Sequence, residues 1–428
     1  MDVVMRTLLG GVGVVLLFVA AQAADRRVTI YDQDPEHLWN RLYLALAVRT
    51  EAGTQYGVDN SVPFDEDFDD PEKLAAVLDE FLNADGQDLA SGDLRRALLL
   101  HDVWAAFDLS ARSERKELRR RLARVVGRLR MQDQAIAGLQ DNYAEAVKSG
   151  SFANEFDPAH PEMAFLPPDL FDVNGPWVQI GESGLGLVAP VHVEALSGRS
   201  AFRVFIRCPG GRKPTLAYLE RLNLHRTPWA HKPARFGITY PDERQVRGEP
   251  ALDPATPQLP EGTIVALVRQ MAAINEKIEP VMTPITQSVQ FRVFRKISAG
   301  PYRDTRSEFA DSQLVFEFAM RRRDLLAGKA GGLHQVAPDE AEYQLIGGLH
   351  GTRAVQLRGS VVMSTCARCH SGNGIFSINS FTRAIGSRTV NPQLLPADNA
   401  DYQGVSAMYW KKQQFDWGLL RGLLEQER

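Results

Sequence analysis

Hydrophobic residues recur at helical spacing through the first third of the chain. After Asp70-Pro71-Glu72, apolar residues fall three and four positions apart, at Leu74, Val77, Leu78, Phe81 and Leu82. Asp70 is typical of a helix N-cap, and Pro71 is typical of a first helical turn. The same spacing predicts helices over about 94–107 and 114–131. We therefore predict a helical domain over residues 24–156.

The pattern changes to alternation after a proline-rich stretch, 157–168, which is typical of a linker. Hydrophobic and polar residues alternate at 191–194, 202–204, 289–293 and 314–318. A period of two is typical of antiparallel strands with one solvated face. We predict an antiparallel β-rich domain over residues 169–345, either a sandwich or an open barrel. A short helix at about 215–222 is predicted as an insertion.

The last segment, residues 346–428, closes with a pattern that predicts one amphipathic helix from Ser406 to about Glu425. The predicted fold class is therefore multidomain α+β. A helical domain comes first, a sandwich-like β-rich domain follows, and a small helical and loop segment ends the chain. A length of 428 residues fits roughly two or three domains.

The first residues are typical of an export signal. Arg6 precedes an apolar stretch from Thr7 to Ala20, which is short for a membrane span. Ala21-Gln22-Ala23 offers the small residues that signal peptidase reads. We predict a signal peptide over 1–23, cleavage after Ala23, and a periplasmic or secreted mature protein without a transmembrane segment.

Charge and composition limit the classes of binding partner that the sequence favours. The 49 basic and 53 acidic residues give a formal net charge of −4, so there is no basic excess to neutralise phosphates, and no nucleic-acid partner is expected. The hydrophobic and charged fractions, 44% and 24%, are those of a globular protein.

Cysteine usage supplies the main chemical signal. Two of the three cysteines stand in Cys366-Ala367-Arg368-Cys369-His370, and Cys208 stands alone. In a C-x-x-C-H motif each thiol can add to one vinyl group of haem, while the adjacent histidine is placed to bind the iron from the same side. The sequence therefore predicts one covalent haem c, and Cys208 is interpreted as a structural thiol at a strand end.

Other uses of this motif fit the sequence less well. A thioredoxin-like site needs a βαβ unit around C-x-x-C, and a structural zinc site needs further ligand pairs. Neither pattern accompanies Cys366 and Cys369. A simple disulfide between the two remains an alternative.

The motif, with Gly372-Asn373-Gly374 after it and a closing helix, resembles the c-type cytochromes over the last fifth of the chain. The resemblance implies that Cys366 and Cys369 are the attachment sites and that His370 is the proximal iron ligand. The rest of the chain is similar to exported bacterial single-haem proteins, a resemblance that implies no particular activity.

The sixth iron ligand has several candidates. Met408 is the only methionine after the motif, although it lacks the following proline common in cytochromes, and a core role is its alternative. His350 is a second candidate, and an open or water-bound position is a third. Arg383 and Arg388 are candidates for pairing with haem propionates, with surface salt bridges as the alternative.

Three functions follow from these features. The preferred one is electron transfer between the haem and a redox partner protein whose identity the sequence does not give. The second is a haem enzyme, such as a peroxidase-like oxidoreductase with an open iron position, which the size of the chain favours. The third is a haem-based redox or gas sensor, or a binding protein. Iron coordination distinguishes the first from the others.

The export signal makes a direct prediction. Expressed in a bacterium with its full N-terminus, the chain should be processed so that the mature protein begins at Ala24, because Ala23 completes the small-residue cleavage pattern. Mass spectrometry of the intact periplasmic protein measures this. A mature mass that still includes residues 1–23 would indicate an uncleaved membrane anchor instead.

Overall fold

The computed structural model describes residues 28–51, 54–57, 70–111, 113–182, 186–225, 229–231, 250–252, 256–297, 312–346, 355–361, 374–378, 394–396 and 402–426, with 68, 363, 366 and 370. The predicted signal peptide lies outside these residues, so its prediction stands as made. The same holds for four predicted site residues: His350, Cys369, Arg383 and Arg388.

Helices occupy most of the described N-terminal part: α1 (Leu38–Ala47), α2 (Pro71–Asn83), α3 (Asp93–Ser110), α4 (Lys116–Leu129), α5 (Asp133–Ala137) and α6 (Asn142–Lys148). The start of α2 confirms the N-cap prediction, because the Asp70 carboxylate accepts a hydrogen bond from the backbone N–H of Lys73 at 2.9 Å. The apolar face of α2 is buried, as its spacing predicts.

Later helices are α7 (Pro190–Ala195), α8 (Arg212–Asn223), α9 (Arg322–Leu326), α10 (Tyr402–Lys412) and α11 (Phe415–Gln426). Helix α8 confirms the predicted insertion. The prediction of a single closing helix is wrong, because the chain turns at Gln413 and Gln414 and forms two helices. Among the described helices, none is long and apolar enough to span a membrane.

The central part contains a seven-stranded antiparallel sheet in the order β10-β9-β8-β7-β4-β3-β13. Its strands are β3 (Val178–Glu182), β4 (Ser200–Arg207), β7 (Ile264–Ile274), β8 (Pro280–Phe294), β9 (Gln313–Met320), β10 (Leu333–Gln335) and β13 (Leu394–Pro396). The mixed α+β class and the antiparallel pairing are confirmed. No second sheet of comparable size packs on this one within the described ranges.

The other described strands form two-stranded antiparallel hairpins. They pair β1 (Arg49–Glu51) with β2 (Thr54–Tyr56), β5 (Trp229–His231) with β6 (Pro250–Leu252), and β11 (Ala341–Ile346) with β12 (Val355–Val361).

One strand prediction is wrong. The alternation of Val191 and Val193 with polar neighbours predicted a strand at 191–194, but these residues belong to α7. Pro190 occupies the first turn of this helix, where its missing N–H and fixed φ are favourable. The turn ends with Ser197 and Gly198 at positive φ, and the chain then enters β4.

One face of the sheet packs on an aromatic core. Phe291 and Phe318 on neighbouring strands are fully buried. The ring centroid of Phe165, from the proline-rich stretch, lies 4.9 Å from that of Phe291. Trp177 packs 6.1 Å from the same ring. Each such buried aromatic side chain contributes about 1.5–3 kcal/mol through removal of apolar area from water.

The main hydrophobic core is continuous from the N-terminal helices through the sheet to the closing helices. Trp104 of α3 packs edge-on against Trp417 of α11, with ring centroids 5.7 Å apart. Beside them, Asp108 of α3 accepts hydrogen bonds from Arg199, before β4, at 2.7 Å and from Lys411 of α10 at 2.8 Å. We call Asp108, Arg199 and Lys411 the buried ion cluster.

The buried ion cluster predicts a large stability effect. Lys411→Met removes one cation from a carboxylate that has no access to water, so the unfolding free energy should fall by about 3 kcal/mol. Chemical denaturation measures the change. Lys412→Met is the matched control: the neighbouring lysine pairs with Glu279 at 3.5 Å at an exposed site and should cost about 0–1 kcal/mol. Equal losses in both variants would contradict the prediction.

Candidate functional site

The second face of the sheet carries a group of polar side chains near its centre. Strand register places Gln290 opposite Glu317, and Arg292 stands two residues further along β8. Gln313 and Arg269 belong to the same face by their register and alternation. We call these five residues the polar sheet face: Arg269, Gln290, Arg292, Gln313 and Glu317.

The alternating pattern predicted a solvated face, and this is wrong for much of the polar sheet face. Gln290, Arg292 and Gln313 are 7%, 5% and 2% exposed. Gln290 donates to the Glu317 carboxylate at 2.7 Å and accepts from Arg292 Nε at 2.7 Å. Buried polar groups must find partners of this kind, because an unpaired one costs free energy.

The described residues of the C-x-x-C-H region lie on the polar sheet face. Gln290 Nε2 is 3.5 Å from Cys366 Sγ, a distance within the range of a weak hydrogen bond to sulfur. Gln313 Nε2 donates to the carbonyl oxygen of His370 at 3.1 Å. Arg292 Nη1 donates to the carbonyl oxygen of Ser377 at 3.2 Å. These contacts fix the position of the motif relative to β8 and β9.

Cys366 and His370 both have helical backbone. Cys366 reaches the polar sheet face through its sulfur and His370 through its backbone carbonyl.

The imidazole of His370 is oriented by a backbone carbonyl. Its Nδ1 lies 2.7 Å from the carbonyl oxygen of Ser377. Because a carbonyl only accepts, Nδ1 carries the proton and Nε2 keeps its lone pair. A histidine held in this way is the usual form of a metal ligand. Burial, followed by the charges of Arg292 and His192, holds the pKa of His370 well below its usual range.

The turn that supplies this carbonyl is a short 3₁₀ helix, Gly374–Ser377. Gly374 has φ +56°, and a Cβ there would approach the Gln258 side chain to 2.2 Å, so the position requires glycine. Gln258 Oε1 accepts from the backbone N–H of Ile375 at 2.7 Å. Ser377 is fully buried, and its hydroxyl donates to the Gly374 carbonyl at 2.8 Å.

A second histidine lies beside His370. The ring planes of His192 and His370 are 7° from parallel, and their centroids are 6.1 Å apart. His192 lies on α7 and packs against Phe202 of β4 at 5.1 Å. Burial, and then the charges of Arg292 and Arg269, lowers the pKa of His192 to about 4.

Sequence reasoning did not identify His192, nor the polar sheet face. His192 was interpreted as a polar residue in a strand. Only the tertiary fold brings its side chain close to that of His370. Pro190 is a local signal that could have indicated a helix at this point. It could not have indicated that His192 on this helix lies beside His370. The alternation at 289–293 and 314–318 correctly predicted a polar side of the sheet, although not what covers it.

The other described candidates lie as follows. Met408 is 7% exposed and belongs to the main hydrophobic core, which fits its alternative role as a core methionine. Cys208 is buried directly after β4, and its backbone N–H donates to Thr215 Oγ1 at 2.8 Å. Burial raises the pKa of the Cys208 thiol, so its position is that of a structural thiol.

The donor groups near the polar sheet face are the thiol of Cys366, the carbonyl-oriented imidazole of His370 and the parallel imidazole of His192. Within the described part of the chain, no group of three or more His, Cys, Asp or Glu side chains is placed to hold a metal ion. Thiol and imidazole groups are those that could attach a haem and ligate its iron.

Glu317 makes a pH prediction. Burial raises its pKa to about 7, against the opposing effects of Gln290, Arg292 and Arg269. Its contribution to stability is therefore fully present below about pH 4.5 and is lost as the pH rises through about 7. The Glu317→Gln side chain does not ionise, so the variant should not show this pH-dependent loss of stability. The unfolding free energy of the variant relative to wild type should therefore rise by about 1–2 kcal/mol between pH 5 and pH 8.5, allowing for screening at a half-buried site.

Urea unfolding of both full-length proteins at the two pH values measures this difference. The comparison at pH 5 serves as the internal control for any general effect of the substitution. A difference in unfolding free energy that stays constant with pH would show that Glu317 ionises in the folded protein as it does in the unfolded chain.

Comparison with known proteins identifies no relative of this chain. The sequence matches no protein-family model, and it matches neither a curated protein nor a solved structure. What the site does is therefore inferred from its own residues and geometry.

Proposed function

We propose that the chain is an exported c-type cytochrome that transfers electrons. One haem c would be attached to Cys366 and Cys369, with His370 as the proximal iron ligand. The observation that carries the proposal is the state of His370: the last residue of C-x-x-C-H has its Nδ1 hydrogen-bonded to the Ser377 carbonyl at 2.7 Å. That leaves Nε2 as a lone-pair donor in a ring that burial keeps neutral.

The chain's own residues would hold the group in place. Gln290 and Gln313 fix the motif on the sheet through Cys366 and the His370 carbonyl. The carbonyl of Ser377 sets the orientation of the imidazole. Arg383 and Arg388 remain candidates for the propionates. When bound, haem c supplies one-electron redox chemistry, and the protein adjusts it through ligands, charge and burial.

Electron transfer is preferred to a haem enzyme or sensor because of what lies beside His370. A peroxidase-like enzyme or a gas sensor needs an open iron position. Here a second imidazole, His192, lies parallel to the first, which favours a site without an exchangeable position. The predicted Sec-type signal with Ala23 at its end supports a location in the periplasm or outside the cell, where the redox partner would be another exported protein.

Covalent attachment gives the test of this proposal. The protein is exported together with the haem-attachment machinery, and the double variant Cys366→Ser/Cys369→Ser is compared with wild type. Wild type should show one haem per chain in a pyridine haemochrome assay and a haem stain on a denaturing gel. The double variant should lose both, because thioether bonds need the two sulfur atoms.

Cys208→Ser is the matched control, since it removes the remaining thiol and should leave the haem stain unchanged. A retained stain in the double variant would contradict the assignment of the attachment sites. A wild-type protein without haem would contradict the function itself and return the motif to the disulfide alternative.

A further inference from the structure

The imidazole rings of His192 and His370 have planes 7° from parallel and centroids 6.1 Å apart. Offset stacking of aromatic rings covers centroid separations of about 4.5–7 Å, so packing alone accommodates this pair. The same separation also fits a second arrangement.

That spacing matches two imidazoles bound to opposite sides of one metal ion. A metal–imidazole bond is about 2.0 Å long, and a ring nitrogen lies about 1.1 Å from the ring centre for ordinary ring bond lengths. Two such ligands in line with the metal therefore have centroids about 6 Å apart. The observed 6.1 Å separation agrees with this value.

We propose that His192 is the second axial ligand of the iron, opposite His370. This inference rests on the proposed function, because it needs the covalent haem, and it adds the ligand that closes the coordination sphere. His192 takes the place that the sequence assigned to Met408, His350 or an open position.

The elements around His192 hold it at this place. Helix α7 begins at Pro190, and Val193 anchors it in the main core. Phe202, on the same side of β4 as the polar sheet face, packs against the His192 ring at 5.1 Å and 34°. The ring thus meets an apolar surface on one side and His370 in a parallel orientation, and its position is set by two rigid elements.

By contrast, the position of Met408 gives no comparable support. Its side chain is buried in the main core on α10, where a thioether is accounted for by packing. His350 lies outside the described residues.

The first experiment uses wild-type holoprotein. Both oxidation states should give low-spin absorption spectra without the near-infrared band of methionine ligation. Because the imidazole planes are 7° from parallel, the ferric protein should give the rhombic low-spin EPR signal of parallel axial imidazoles. A methionine band or a high-spin spectrum in wild type would overturn the proposal.

The second experiment replaces the ligand. His192→Ala should keep the covalent haem on a denaturing gel but lose the low-spin spectrum and gain binding of carbon monoxide. Added imidazole should restore the low-spin spectrum, because it enters the vacated position. His192→Met, which can supply a thioether, should also return a low-spin form with a methionine band. These readouts do not depend on electron-transfer activity.

Two variants serve as controls. Met408→Ala should leave the low-spin spectrum unchanged, as should His334→Ala, which removes a histidine bound to the Ala319 carbonyl and Glu340. If His192→Ala retains haem and an unchanged low-spin spectrum, His192 is not the ligand, while the proposed cytochrome stands. If wild type carries no covalent haem, both proposals fall together.

Discussion

The structure depends on burying the polar sheet face beneath the C-terminal part of the chain. Strands β8 and β9 pair in unbroken register from Ser288 to Phe294, so a side that packs Phe291 and Phe318 on the aromatic core must direct Gln290, Arg292 and Gln313 the other way. Out of water, these groups need hydrogen-bond partners. The C-x-x-C-H region provides them through a sulfur and two backbone carbonyls. The position of His370 is a consequence of that requirement.

The buried ion cluster supplies a second constraint on the same segment. Asp108 links α3 to Arg199, which precedes β4, and to Lys411 on α10. The site region is thus held by the sheet, and the helix that follows it is held by the N-terminal helices. A buried ion cluster stabilises only when complete, since an isolated buried charge is costly. Here it also fixes the C-terminal end of α10 against α3.

Sequence reasoning succeeded where the determining interactions are local. Asp70 and Pro71 specify the start of α2 within one turn, and alternation along β8 and β9 specifies antiparallel strands. It failed at 191–194, where four residues fit a strand and only Pro190 favoured a helix, and at Gln413, where apolar spacing continued through a break. The motif predicted Cys366 and His370 as site residues, and that assignment stays a prediction. His192 is a tertiary neighbour, and no local pattern records which distant residues will meet.

The separation of His192 and His370 along the chain has a consequence for maturation. In the proposed cytochrome, thioether formation would involve only the five residues of the motif, so it could proceed on an unfolded chain. Joining position 192 to position 370 must close a long loop and needs β4, β8 and α7 in place. Attachment and completion of the coordination sphere would therefore be separate events, with a ligand-exchangeable intermediate between them. The moment at which that intermediate becomes low-spin would mark the moment at which the sheet closes.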